Sequence, residues 1–270
     1  WISQNGLEAY FGSDRDDLLT YYHIYHTTRS STLEPFGPAV KVKEVDHPWR
    51  QNVPYLSDDM LTMYYTSPRP EGLTDHSLWE VTRLTATSAW DTDSQRMLPG
   101  VNTPLVREWN TQPQVTSGGL VLYFNRFAEG TGDYDLFRAS RSTTAEEFQS
   151  PEPLTEFNTI YEEGSPFLTS DGLMFFFHST RPSGSGSRDL YVAVRDTTSE
   201  SFSPAVNLRE INSSYTEHWV RFHEPTQTLY FTSAREGDYD VYAAELLPND
   251  LPYPVWSTYA GGLENDGTIA

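Results

Sequence analysis

The sequence predicts an all-β fold, a five-bladed β-propeller with four antiparallel strands per blade. Three observations carry that prediction. An aromatic strand motif recurs five times at near-constant spacing. Three further landmarks follow it in the same order each time. Helical apolar periodicity is not evident anywhere along the chain.

The recurring strand reads GLEAYFGSDR over 6–15, MLTMYYTSPR over 60–69 and GLVLYFNR over 119–126. It returns as GLMFFFHSTR over 172–181 and TQTLYFTSAR over 226–235. Its anchor aromatics, Phe11, Tyr65, Phe124, Phe177 and Phe231, stand roughly 54 residues apart, a period typical of stacked or radial repeats. The next strand carries Tyr25, Trp79, Phe137, Tyr191 and Tyr242, in contexts such as Asp-Leu-Tyr. Phe36, Trp90, Phe148, Phe202 and Trp256 form the third landmark. A last strand ends at Val42, Leu98, Leu154, Leu208 and Leu263, followed by Asp46, Asn102, Asn158, Asn212 and Asp266.

Each unit thus supplies four short strands with turn signals between them, such as Asp171-Gly172 and Gly118-Gly119. Four strands per unit of this length describe a propeller blade. Blades packed face to face bury both sides of a strand, which explains runs such as Phe175-Phe176-Phe177. The expected blades are 1–46, 54–102, 113–158, 166–212 and 220–270, within one domain. The first repeat lacks the start of its innermost strand and the last runs long. Residues 267–270 are therefore expected beside 1–4, closing the ring near both chain termini. Trp1 falls inside a strand-like segment, so the natural chain is expected to begin further upstream.

Composition excludes several classes. The formal net charge is -20, with two lysines, Lys41 and Lys43, and singly scattered arginines. Nucleic acid needs a basic face, so it is not an expected partner. There is no cysteine, which removes disulfides, thiolate zinc sites and cysteine nucleophiles. The longest apolar runs, such as Leu120 to Phe124, are too short to span a bilayer as a helix, and no membrane insertion is expected.

The segments SPFLTSDGLMFFFHSTR at 165–181, SRDLYVAVR at 187–195 and LYFTSAREGDYDVYAAEL in the fifth repeat carry a recognisable pattern. It resembles the TolB-type, WD40-like propeller repeat family. The first two repeats depart from it, with His23 and Ser77 in place of the Asp of Asp-Leu-Tyr. The resemblance implies a propeller, often exported in bacteria, hence a periplasmic or secreted location. It does not imply one activity, since family members serve as binding modules, interaction domains and parts of enzymes.

Repetition supplies an internal control. Residues present in every blade serve the blade, and residues present once are candidates for function. By this test Arg15, Arg69, Arg126, Arg181 and Arg235 are structural, as are Arg29, Arg83, Arg141 and Arg195. Their expected partners are Asp135, Asp189 and Asp240, because a guanidinium fits a carboxylate bidentately. No cofactor is expected. Structural calcium is considered for the Asp-Tyr-Asp triplets at 133–135 and 238–240, which lack the length of a calcium loop, and another divalent metal remains an alternative.

Strand alternation places the loops before the innermost strands on one face, with the turns after the anchor aromatics. These loops, 46–53, 102–112, 158–165 and 212–219, diverge most between copies. They hold Trp49, Arg50, Glu108, Trp109, Glu162, Glu163, Glu217, His218 and Trp219, and His178 follows the anchor strand of the fourth blade on the same face. Aromatic faces stack on sugar rings, and carboxylates and arginine bind hydroxyls or charges. The expected function is therefore a non-catalytic propeller that binds a carbohydrate or a protein at this channel mouth. Trp109 and Trp219 could alternatively fill the narrow centre. His178, Glu217 and His218 are the nearest candidates for a metal, without any recognised ligand spacing.

The alternative is a carbohydrate-active enzyme, a glycoside hydrolase or lyase. Such chemistry needs two carboxylates across one glycosidic bond, and Glu163 and Glu217, at equivalent positions of adjacent blades, are the candidate pair. Furanosidase propellers place an acid on the first inner strand, whereas this one reads Trp1-Ile2-Ser3-Gln4. No Ser-His-Asp arrangement stands out.

Overall fold

The computed structural model describes the whole chain except residues 16–20, 49, 69–75, 103–107, 117, 129–131, 183, 248–254, 257–258 and 264–270. Among the described residues it is all-β apart from two short 3-10 turns. Five antiparallel sheets follow one another along the chain, the arrangement of a five-bladed β-propeller. Residues Trp1–Leu154 and Thr155–Ala270 form two compact units, holding blades one to three and blades four and five. The expected closure through 267–270 falls outside the described residues.

Blade one comprises β1 (Glu8–Ser13), β2 (His23–Thr28) and β3 (Val40–Lys41). Its innermost strand survives as a single antiparallel bridge, Ile2 to Ala9. Blade two comprises β4 (Asn52–Leu56), β5 (Thr62–Ser67), β6 (Ser77–Thr82) and β7 (Arg96–Met97). Blade three comprises β8 (Glu108–Val115), β9 (Val121–Ala128), β10 (Asp133–Ser140) and β11 (Gln149–Pro153). Blade four comprises β12 (Glu163–Leu168), β13 (Met174–Ser179), β14 (Asp189–Val194) and β15 (Val206–Asn207). Blade five comprises β16 (Glu217–His223), β17 (Thr228–Ser233) and β18 (Asp240–Leu247), with β19 (Val255–Trp256) and β20 (Tyr259–Leu263) both pairing β18.

The landmarks of the repeat have a common geometry. The anchor aromatics face the aromatics of the next strand directly: Phe11 opposite Tyr25, Tyr65 opposite Trp79, Phe124 opposite Phe137, Phe177 opposite Tyr191 and Phe231 opposite Tyr242. Cross-strand aromatic pairs of this kind stabilise a sheet beyond their burial. A guanidinium caps four of these pairs. Arg15, Arg126, Arg181 and Arg235 lie 5.0, 4.8, 4.9 and 4.7 Å from the Tyr25, Phe137, Tyr191 and Tyr242 rings. Arg69 lies outside the described residues.

The second arginine series is a clamp at the far end of the same strands. Arg29, Arg83, Arg141 and Arg195 stack over Phe36, Trp90, Phe148 and Phe202 at 4.4, 4.3, 4.3 and 4.3 Å. Each Nε donates to the carbonyl of the tight turn before the second strand, at Gly6, Met60, Gly119 and Gly172. The third landmark of the sequence is therefore the platform for this clamp.

Asn102 and Asn212 extend the sheet by side chain. Each accepts from, and donates to, the backbone of one residue of the third strand, Leu78 and Leu190 respectively. In blade one the chemistry is exchanged: Asp46 lies 2.7 Å from His23. Asp189, one of the three Asp-Leu-Tyr aspartates, has a different partner from the one expected. Asp189 accepts from the Ser185 and Gly186 amides and from Asn207, closing its own turn, while Arg181 and Arg235 reach elsewhere. A short aspartate at the head of a strand is closer to turn amides than to a guanidinium lying across two rings.

Both faces of the strands are buried, as the aromatic runs require. In the second unit Phe175 stacks on Phe157 at 4.6 Å, while the next residue, Phe176, turns to Phe222 at 5.8 Å. In the first unit Tyr10, Ile24, Val45, Leu56, Met63, Tyr65 and Trp90 form one buried cluster. Each such side chain contributes roughly 1.5–3 kcal/mol by leaving water. Among the described residues no helix is long and apolar enough to cross a membrane.

Candidate functional site

A bulge at one fixed place in the first strand of blades two to five builds the candidate site. The ladder slips between Asn52 and Tyr55, Thr111 and Gln114, Gly164 and Phe167, and His218 and Arg221. At each slip one residue adopts the left-handed region: Val53, Gln112, Ser165 and Trp219, with φ of 51, 58, 55 and 52°. None is glycine, so each costs about 1–2 kcal/mol of backbone strain. The fold over-determines that strain, because the bulge is what re-aims the strand. The amide freed from the ladder finds a partner in the preceding blade: Gln112 donates to Thr66 Oγ1 at 3.3 Å and Trp219 to Ser165 Oγ at 3.0 Å. In a regular strand neighbours point to opposite faces. Across this bulge His218 and Trp219 instead stack, 4.1 Å apart and 18° from parallel.

Two residues before each bulge sits an anchor, and this is where Glu163 and Glu217 are found. Both are completely buried. Glu163 accepts from the Thr159 amide and hydroxyl, the Ser179 hydroxyl and Arg181 Nη2 at 3.1 Å. Glu217 repeats the set with the Ser213 amide and hydroxyl, Ser233 and Arg235 Nη2. Blade two fills the place with Gln51, which accepts from the amide four residues earlier, His47. Blade three fills it with Asn110, which accepts from Arg126. Both carboxylates thus behave as repeated blade anchors, each occupied within its own blade.

The second unit gathers the singular residues. Arg188 grips Glu162 with two parallel bonds, Nε to Oε1 at 2.8 Å and Nη2 to Oε2 at 3.0 Å. His178 Nε2 stands 3.2 Å from Glu162 Oε1, and its Nδ1 stands 3.0 Å from Ser165 Oγ. Because Glu162 can only accept, the network assigns the His178 proton to Nε2 and makes Nδ1 the acceptor of the Ser165 hydroxyl. A chain of donors therefore runs from the Trp219 amide through Ser165 and His178 to Glu162. His218 lies 6.2 Å from His178, and Tyr239, half exposed, stacks on it at 5.0 Å.

Burial sets the charge states. Burial alone would raise the Glu162 pKa, but hydrogen bonds from His178 and Arg188 outweigh it and hold the carboxyl at about 2. His178 is pushed below its ordinary value by burial, more than Glu162 lifts it. His218 is pushed down further, by burial and then by His178 and Arg188. Both imidazoles are neutral near pH 7.

Ser165, His178 and Glu162 carry the residue types of an acyl-transfer relay. Ser165 is completely buried, however, and its oxygen already holds the Trp219 amide. Its left-handed backbone is shared by Val53, Gln112 and Trp219, so it marks a bulge of the fold and ties two blades together.

In the first unit Arg50 lies 5.1 Å over Tyr22. Trp109 stacks on Phe127 at 4.8 Å and reaches His76 at 5.5 Å. Trp49 lies outside the described residues, as does the side chain of Glu108, which opens β8. Arg50, Trp109, Glu162 and Thr216 are equivalent, each one residue before the first-strand anchor. Their partners Tyr22, His76 and Arg188 are equivalent too, each one residue before the third strand, where Tyr239 stands in blade five. Sequence reasoning passed over this second position. The signal was present: the residue before the Asp-Leu-Tyr position changes between blades, as Tyr22, His76, Arg188 and Tyr239.

Two of the three metal candidates, His178 and Glu217, already have partners. Both nitrogens of His178 are engaged, and Glu217 is consumed in its anchor. Among the described residues no group of three His, Asp or Glu side chains is arranged to hold an ion.

Fold and site together define a five-bladed β-propeller with divergent polar and aromatic residues at its first-strand bulges. A comparison with protein-family models finds no match, and a comparison with curated proteins finds none. Solved structures share the fold. A putative TolB from Agrobacterium tumefaciens is similar with 14% identity and a TM-score of 0.52, over 90% of this chain and 74% of that one. A GH43 endo-arabinanase from Bacillus licheniformis is similar with 12% identity and a TM-score of 0.57, over 94% and 97%. An oligogalacturonate lyase, solved in complex with manganese, has 12% identity and a TM-score of 0.50, over 94% and 63%. At such identities the likeness concerns the fold alone.

Proposed function

We propose that this chain is a non-catalytic binding propeller of the TolB-type repeat family, working in the bacterial periplasm or outside the cell. Its ligand is a carbohydrate, taken on the bulge face of blades four and five. One observation carries the reading. His218 Nε2 and Trp219 Nε1, on adjacent stacked rings, are buried without a hydrogen-bond partner. Buried polar atoms are nearly always satisfied, so an unpaired pair on consecutive residues calls for a partner such as an ordered water or a ligand. The half-exposed Tyr239 beside them extends the aromatic surface.

The enzyme reading has less in its favour. Its candidate pair, Glu163 and Glu217, is engaged in two separate blade anchors rather than aimed at a common bond. Two measurements on one purified sample separate the readings. A glycan array should show retention that Trp219→Ala abolishes, and reducing-sugar assays on the retained glycans should show no release. Release that Glu217→Gln abolishes while retention persists would establish the enzyme instead. Retention of no glycan, with capture of a protein partner lost in Trp219→Ala, would move the ligand to a protein.

A further inference from the structure

We propose that the stacked pair His218 and Trp219 binds an uncharged saccharide and excludes sugars that carry carboxylates. This rests on the carbohydrate reading above and names the ligand's chemistry.

The argument begins with the two ring nitrogens. An indole Nε1–H can only donate, whereas the Nε2 of a neutral imidazole accepts or donates according to tautomer. A buried unpaired group of either kind costs about 1–3 kcal/mol. Two such groups on consecutive residues of one bulge are therefore an expensive arrangement. Hydroxyls both donate and accept, so neighbouring hydroxyls of one sugar ring satisfy both nitrogens whichever tautomer His218 holds. The two rings stack 4.1 Å apart and 18° from parallel, so both nitrogens belong to one aromatic pair.

Charge decides between kinds of sugar. The cation of this cluster, Arg188, is held bidentately by Glu162, so the pair carries no net charge. His178 donates to the same carboxylate, and burial keeps both imidazoles neutral. A carboxylate seated against His218 would be desolvated without an opposing charge, which is costly. The chain as a whole, at -20, adds repulsion at longer range. His218 itself is only 6% exposed, with Tyr239 stacked on its face. Tyr239 is 50% exposed and follows Gly237, whose φ is 112°.

The test is a glycan array of neutral hexose and pentose hexasaccharides beside hexagalacturonate, at pH 7.5, in 0.1 M and 1 M NaCl. Neutral oligosaccharides should be retained and hexagalacturonate should bind at least about tenfold more weakly. The gap should persist at 1 M, where long-range repulsion is screened. His218→Phe and Trp219→Phe keep an aromatic ring and remove one nitrogen. Each should weaken the neutral ligand about five- to tenfold, with circular dichroism unchanged. Hexagalacturonate bound as well as neutral glycans, or Phe variants that bind like the parent, would overturn the inference while leaving the carbohydrate reading in place. Retention of no glycan of either kind overturns that reading, and this inference with it.

Discussion

The backbone amide of Trp219 donates to the hydroxyl of Ser165 at 3.0 Å, so the bulge of blade five is tied to the bulge of blade four. The same hydroxyl serves His178 Nδ1. Ser165→Ala removes one oxygen and strands two buried partners. Each lost partner costs about 1–3 kcal/mol, and partial relaxation should leave a net loss of roughly 2–3 kcal/mol. Urea unfolding reads this as a lower midpoint with an unchanged slope. A change under about 0.5 kcal/mol would mean that the tie carries no stability.

Glu163 is expected to be structural in a way that Gln51 already illustrates. Both accept from the amide four residues earlier, Thr159 and His47, and one is charged while the other is not. Glu163→Gln should therefore fold, with a moderate loss because Arg181 loses its carboxylate. Glu163→Ala should cost about 3–5 kcal/mol, since it leaves that guanidinium without its buried counter-charge. Thermal melting of both variants checks the order. Equal melting of the Ala variant and the parent would show that the anchor is dispensable.

How much of this was legible beforehand follows from what repeats. The five aromatic pairs, both arginine series and the blade order were legible because they recur from blade to blade. The partners of Asp189 were not. Sequence supplies the charge of Asp189 but not the turn that brings the Ser185 and Gly186 amides closer to it than any guanidinium. The bulge was hidden for a related reason. Val53, Gln112, Ser165 and Trp219 share a backbone angle and no side-chain chemistry, so no composition signal marks them. Once the bulge is known, His218 and Trp219 become stacked neighbours rather than residues on opposite faces. His178 and Glu162 were both read as site residues, yet their shared proton and the role of Arg188 depend on side-chain reach across two strands.

Acid should destabilise the fold in two steps, and the sign follows from the directions of the shifts. The folded pKa values of His178 and His218 lie below the ordinary 6.5, so the unfolded chain binds more protons once the pH falls past that value. Stability is then lost on acidification from about pH 6.5 downward. Glu162 is held at about 2 against an ordinary 4.5, so its contribution is complete above 4.5 and fades between 4.5 and about 2. The groups facing these histidines are Glu162, Glu163, Arg188 and each other, and Glu162 keeps its charge until the lower step. Melting temperatures between pH 8 and pH 3 should therefore be flat at first, decline below 6.5 and steepen below 4.5. His218→Phe removes one of the two groups behind the upper decline and should flatten it, leaving the lower one intact. A parent profile that stays level from pH 7 to pH 5, or a His218→Phe profile that falls as steeply as the parent over that range, would show that these imidazoles are not held neutral by the fold.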